Sequence, residues 1–168
     1  MMKTRAFFIL VALASLVAAG CKAKEPTSLE RKEAAALVSE AQFALQLKDY
    51  ARAETLLAKA AALCPDTGKF WVDLGAMRVR LGKKDAARTA YKSGLAAYED
   101  AAKADLKDPK LLLQQIYVLA LLGRTEDARA VLAKAQKKFP DDRAVRVFAE
   151  GKQIDKMTTD PRFKEIAL

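Results

Sequence analysis

The sequence predicts an all-α protein: a solenoid of three helix pairs closed by a C-terminal capping helix. Three observations predict it. Only seven Gly and five Pro punctuate 168 residues, and Ala is abundant, which disfavours a many-turned β fold and favours packed helices. Apolar residues recur at helical spacing, as in Leu37, Ala41, Ala44 and Leu45, and again in Ala53, Leu56, Leu57, Ala60 and Leu63. The turn Lys48-Asp49-Tyr50-Ala51-Arg52-Ala53 returns as Gly82-Lys83-Lys84-Asp85-Ala86-Ala87 and as Gly123-Arg124-Thr125-Glu126-Asp127-Ala128, so one structural unit repeats. The length suits one ordinary domain.

Residues 1–20 are expected to be an address and not part of that domain. Lys3 and Arg5 precede the apolar stretch 6–17, and a basic start with a ~7–15-residue apolar core is a secretory signal, too short to span a bilayer. Leu16-Val17-Ala18-Ala19-Gly20-Cys21 resembles the lipobox of bacterial lipoproteins, although Ala18 stands where the family prefers Leu. The resemblance implies that Cys21 is lipidated and becomes the acylated N-terminus. An ordinary secretory signal with Cys21 incidental is the alternative. Acyl chains hold a protein on a membrane at about 0.8 kcal/mol per buried CH₂, and no later stretch is apolar enough to cross one.

Next come a tether and the first helix. Residues 22–28 are charged and carry Pro26, Thr27 and Ser28, a composition that suits a flexible connection within a lipidated, tethering region at 21–33. Fully extended, seven residues reach about 20 Å. Thr27 or Ser28 is placed to cap the helix that follows, with Glu30 and Glu33 close behind. The periodicity then places helix pairs at 29–47 and 50–63, at 68–81 and 84–104, and at 109–122 and 125–138.

The repeated residues resemble tetratricopeptide repeats. The middle copy is clearest, with Trp71-x-x-Leu74-Gly75 followed by Ala87-x-x-x-Tyr91. The first copy has Ala53, Leu57, Ala60 and Pro65, and the third has Ala128, Leu132, Ala135 and Pro140. Glu40-Ala41 and Gln115-Ile116 replace the Leu-Gly pair in those two copies. The resulting repeats are 34–67, 68–108 and 109–142, with a capping helix and tail at 143–168. Ala53 to Ala87 is 34 residues, but Ala87 to Ala128 is 41. The seven extra residues equal two helical turns and shift the phase by only about 20°, so they are expected to lengthen helix 84–104. Asp108-Pro109 then ends it and starts the next pair.

A stack of repeats leaves its last apolar face open, so a cap is required. Ala144, Val147, Phe148, Gly151, Ile154 and Met157 share one helical face and are the expected capping surface. The resemblance further implies that Phe163, in Asp160-Pro161-Arg162-Phe163, tucks back onto the last helices, with a short helical turn near 161–166.

Composition narrows function. There is no His, which removes Ser-His and Cys-His catalysis and the commonest metal ligand. Two Cys cannot make a four-thiolate zinc site. No Gly-rich phosphate loop and no metal-ligand cluster is present, and the acid pairs Glu99-Asp100, Glu126-Asp127 and Asp141-Asp142 are explained by solvation or helix capping. No catalytic residue, metal or cofactor is therefore expected. Cys64 reads either as a packed thiol before Pro65 or as a reactive or dimer-forming one. Trp71 and Tyr91 fall at the repeat's own core positions. Without Lys3 and Arg5, 28 basic and 21 acidic side chains remain, about +7. Export removes nucleic acid as a partner, leaving anionic headgroups, envelope polyanions, an acidic protein, or a merely solvated surface.

In tetratricopeptide arrays the first helix of each pair lines a concave surface. The resemblance thus implies a partner-binding groove with Gln42, Gln46, Lys69, Asp73, Arg80, Lys110, Gln114, Tyr117 and Leu121, beside Val38, Leu45, Val72, Ala76 and Leu113. Only Lys110 fits the carboxylate clamp of some members; Val38, Asp73 and Gln114 stand where basic or amide groups are needed. The mixed apolar and amide lining suits an extended or helical protein segment. The expected function is a membrane-anchored interaction scaffold or assembly factor for envelope proteins, resembling pilotin-type lipoproteins. A non-catalytic subunit that recruits a cell-wall enzyme or its substrate is the alternative. In a double-membraned host, Lys22, standing directly after Cys21 where Asp would retain a lipoprotein at the inner membrane, implies by the same resemblance the outer membrane, facing the periplasm.

Overall fold

The computed structural model describes residues 25–168; the expected signal sequence, the proposed lipidation site Cys21 and Lys22 lie outside the described residues. Among the described residues the regular structure is entirely helical, and no helix is long and apolar enough to cross a membrane. Three pairs follow one another: α1 (Ser28–Gln46) with α2 (Tyr50–Leu63), α3 (Gly68–Arg80) with α4 (Lys84–Ala104), and α5 (Pro109–Leu121) with α6 (Thr125–Lys138). Each helix packs on its pair-mate, and α2 on α3 and α4 on α5 continue the stack. This is the all-helical solenoid of three helix pairs that the repeat pattern predicts.

Capping and turn chemistry set the boundaries. Thr27 opens α1 with a reciprocal capping box: its hydroxyl accepts from the Glu30 N–H at 3.2 Å, and the Glu30 carboxylate accepts from the Thr27 N–H at 2.6 Å. Asp49, Asp108 and Asp142 cap α2, α5 and the first capping helix in the same sense. The first helix of every pair ends alike, at Leu47, Leu81 and Leu122. The next residues, Lys48, Gly82 and Gly123, all have positive φ, at 59°, 74° and 71°. Second helices instead end on Cys64, Asp105 and Phe139, at φ −129°, −116° and −129°, two of them followed by Pro. The seven-residue excess lies in α4, which has 21 residues against 14 in α2 and α6.

The core is continuous in kind but changes partners along the stack. Ala41, Ala53, Leu57, Leu74 and Met77 fill it between the first two pairs. Tyr91, Leu95, Ile116, Leu119 and Ala128 fill it between the last two. Gly75 lies where α3 crosses α4, and a Cβ there would stand 2.4 Å from Cε1 of Tyr91.

The cap departs from expectation. It is three short helices, α7 (Arg143–Glu150), α8 (Gln153–Thr159) and α9 (Pro161–Lys164), broken where Lys152 adopts the left-handed conformation at φ 48°. The break lets each piece choose its own face. In α7 the buried residue is Val145, packed with Leu112 and Ala135, whereas Ala144 is exposed and Val147 is 52% exposed. In α8 Ile154 is buried, as its spacing predicts. Phe163 is buried too, edge-on to Tyr117 with ring centroids 5.7 Å apart.

Candidate partner-binding groove

The nine groove residues read from the sequence separate into three groups. Gln42, Lys69 and Asp73 come together with Val38, Leu45 and Ala76 around an open hollow of about 210 Å³ between α1 and α3. Its floor is apolar. Lys69 and Asp73 pair one turn apart on α3 at 2.5 Å, so the charged rim largely neutralises itself. Gln46 is exposed at the end of α1.

The second group is Arg80, Tyr117 and Leu121, which meet the chain's own last segment. Arg80 lies 3.6 Å from the Glu165 carboxylate and 5.3 Å from the centre of the Tyr50 ring. Tyr117 holds Phe163. Leu121 has 0% exposure, and its carbonyl accepts from the Leu168 N–H at 2.9 Å. Leu121 is therefore a packed residue in this structure and not an open groove position. Lys110 and Gln114 form the third group, exposed near the start of α5.

Burial pushes the phenols of Tyr91, Tyr98 and Tyr117 up from their ordinary range, and the Asp73 carboxylate adds to the shift in each. These groups stay protonated at neutral pH. Tyr91, fully buried in the core, donates its O–H to the carbonyl of Ile166. Trp71 is half-buried and donates its indole N–H to the carbonyl of Pro65 at 3.0 Å, which agrees with a packing role for both rings. Cys64 is a free thiol, 1% exposed and raised in pKa by burial, an environment that suppresses thiolate chemistry. Among the described residues, no group of three or more His, Cys, Asp or Glu side chains is arranged to hold a metal ion.

Two features escape sequence reasoning. Glu54 sits on α2 with its side chain only 16% exposed, between Lys83 at 2.6 Å and Arg78 at 3.2 Å. Those hydrogen bonds, that from Lys83 foremost, hold its carboxyl below the usual carboxylate range. Gln115 is buried and its amide N–H₂ donates to the carbonyl of Tyr98 at 3.2 Å, fastening α5 to the extension of α4. A Gln in place of the repeat's Leu is the one sequence signal that pointed to it.

No family model matches the chain, and no curated protein matches it in sequence. Among solved structures, the chain is similar to the Yersinia enterocolitica type III secretion translocator chaperone SycD. The TM-score is 0.45 at 22% identity, over 74% of this chain and 87% of that one. A second structure of the same chaperone, in an alternative dimer, gives 0.45 at 20% identity over 82% and 96%.

Proposed function

We propose that the chain is a membrane-anchored scaffold of the cell envelope, acylated at Cys21, whose concave face holds a segment of another envelope protein. The observation that carries this reading is the hollow between α1 and α3. Val38, Leu45 and Ala76 offer apolar contact, Gln42 offers an amide, and the Lys69–Asp73 pair leaves no net charge to repel an apolar ligand. Such a lining suits an extended strand or an amphipathic helix, with side-chain anchors supplying affinity. The lipobox-like stretch ending at Cys21 supports the anchor, and Lys22 supports the outer membrane as its destination. Escort of an outer-membrane partner, as pilotin-type lipoproteins perform, is the finer form of the same proposal.

Site-specific photo-crosslinking tests it. A crosslinkable residue at Gln42 is expected to yield an adduct with a defined envelope protein. The same group at Arg88, exposed on α4, is the control and yields none. No adduct at Gln42, or equal labelling at both sites, overturns the groove assignment.

A further inference from the structure

The segment from Pro161 to Leu168 lies on the α3–α5 face as a bound peptide would. Phe163 stacks edge-on against Tyr117, Glu165 faces Arg80, and the Ile166 carbonyl accepts from Tyr91. The Leu168 N–H donates to Leu121 at the end of α5, one of the helix-terminal carbonyls that have no partner within their own helix. These contacts join residues 46 to 85 positions apart in sequence. They combine an aromatic anchor, one ion pair and main-chain hydrogen bonds, which is the chemistry of peptide recognition. Three of the residues that receive the segment, Arg80, Tyr117 and Leu121, are positions at which the tetratricopeptide resemblance puts a partner.

We propose that this face is a peptide-docking site filled by the chain's own last segment, and that its external ligand is a protein segment of the same chemistry. The pattern to be matched is Phe163-Lys164-Glu165-Ile166: an aromatic residue, an acid two positions later, and an aliphatic residue directly after the acid. The proposal deepens the scaffold reading, on which it rests, by naming the kind of segment bound and the contact it must displace. Tethered in the same molecule, the internal segment competes at a high effective concentration, so an external peptide meets only the fraction of molecules whose face is vacant.

The test uses the full chain, with a fluorescent synthetic peptide of the sequence of residues 160–168 as probe. Two variants loosen the internal segment: Phe163→Ala removes the anchor, and Glu165→Arg reverses the pairing with Arg80 from an exposed position. Both are expected to bind the probe at least about tenfold more tightly than the unaltered chain. In both, the amides of Ala167 and Leu168 should exchange with solvent about tenfold faster while α3 to α6 keep their protection. A probe in which the residue matching Phe163 is Ala should not bind. The proposal is overturned if the freed variants bind the probe no better than the unaltered chain. It is equally overturned if the Ala167 and Leu168 amides stay protected, or if α5 and α6 open together with the segment, which would make it part of the folded core. Because the probe is the chain's own sequence, failure here is distinct from failure to find an envelope partner at Gln42.

Discussion

Where α3 crosses α4, the size of one side chain dictates the size of another: Gly75 faces Tyr91. The matching positions hold Ala41 and Leu57 in the first pair and Ile116 and Leu132 in the third. Tyr91 can be fully buried because Gly75 presents no Cβ, which would otherwise meet the ring at 2.4 Å. Its hydroxyl donates to the Ile166 carbonyl. Gly75→Ala is expected to destabilise the fold by about 1–3 kcal/mol through overpacking, measured by denaturant unfolding. Adding Tyr91→Leu restores the Ala–Leu combination of the first pair. The double variant is therefore expected to be more stable than the sum of the two single losses predicts. Glu54 supports a second prediction at this scale. Its carboxyl is held below the usual value, so its stabilisation is present above the unfolded-state pKa of about 4.3 and is lost as pH falls through the lower folded-state value. Glu54→Gln should cost about 1–3 kcal/mol at pH 7, and the gap between variant and parent should close as the pH is lowered below 4.3. A gap unchanged down to pH 2 would contradict the ion-pair account.

The six main helices were legible because their determinants are local. The Ala and Leu periodicity, the turn residues, and Pro65, Asp108-Pro109 and Pro140 mark them to within a residue at most ends. The heptad-sized insertion was equally legible, since only a longer α4 preserves the packing phase. The cap was not. Its apolar spacing runs unbroken through Gly151 and Lys152, and nothing in that pattern announces a left-handed residue that redirects the chain. The docking of residues 161–168 was legible only as far as the Phe163 resemblance, because contacts between residues 46 to 85 positions apart leave no periodic trace. The turns between pair-mates show how closely the repeats agree. After α1, Lys48 N–H bonds Leu45 and Asp49 N–H bonds Ala44; after α3 and α5, Gly82, Lys83, Gly123 and Arg124 repeat the arrangement. This is the Schellman closure, and it requires a left-handed residue. Gly fills that position twice and Lys48 once, where a side chain with its Cβ costs roughly 1 kcal/mol. Lys48→Gly is thus expected to raise the melting temperature by a few degrees, about 2–4 °C per kcal/mol gained in a domain of this size. Gly82→Lys should lower it.

At the scale of the whole molecule, the described helices have their own core, and none is long and apolar enough to cross a bilayer. The proposed point of membrane attachment, Cys21, lies before the described residues. Under the proposed anchoring, the connection from Cys21 to Ser28 reaches about 20 Å when extended, enough to hold the solenoid clear of the headgroups. Two predictions separate anchor from fold. Cys21→Ser is expected to move the protein from the membrane fraction to the soluble fraction, or to leave it unprocessed, with its helical circular dichroism and melting temperature unchanged. An unchanged membrane fraction and normal cleavage would remove the lipid anchor from the account. Lys22→Asp addresses destination alone. With Lys22, and in a double-membraned host, the protein should co-sediment with outer-membrane markers on a density gradient. With Asp it should shift to the inner membrane at equal abundance. Co-sedimentation of the parent protein with inner-membrane markers would refute the outer-membrane placement while leaving the groove, and the segment that fills part of it, untouched.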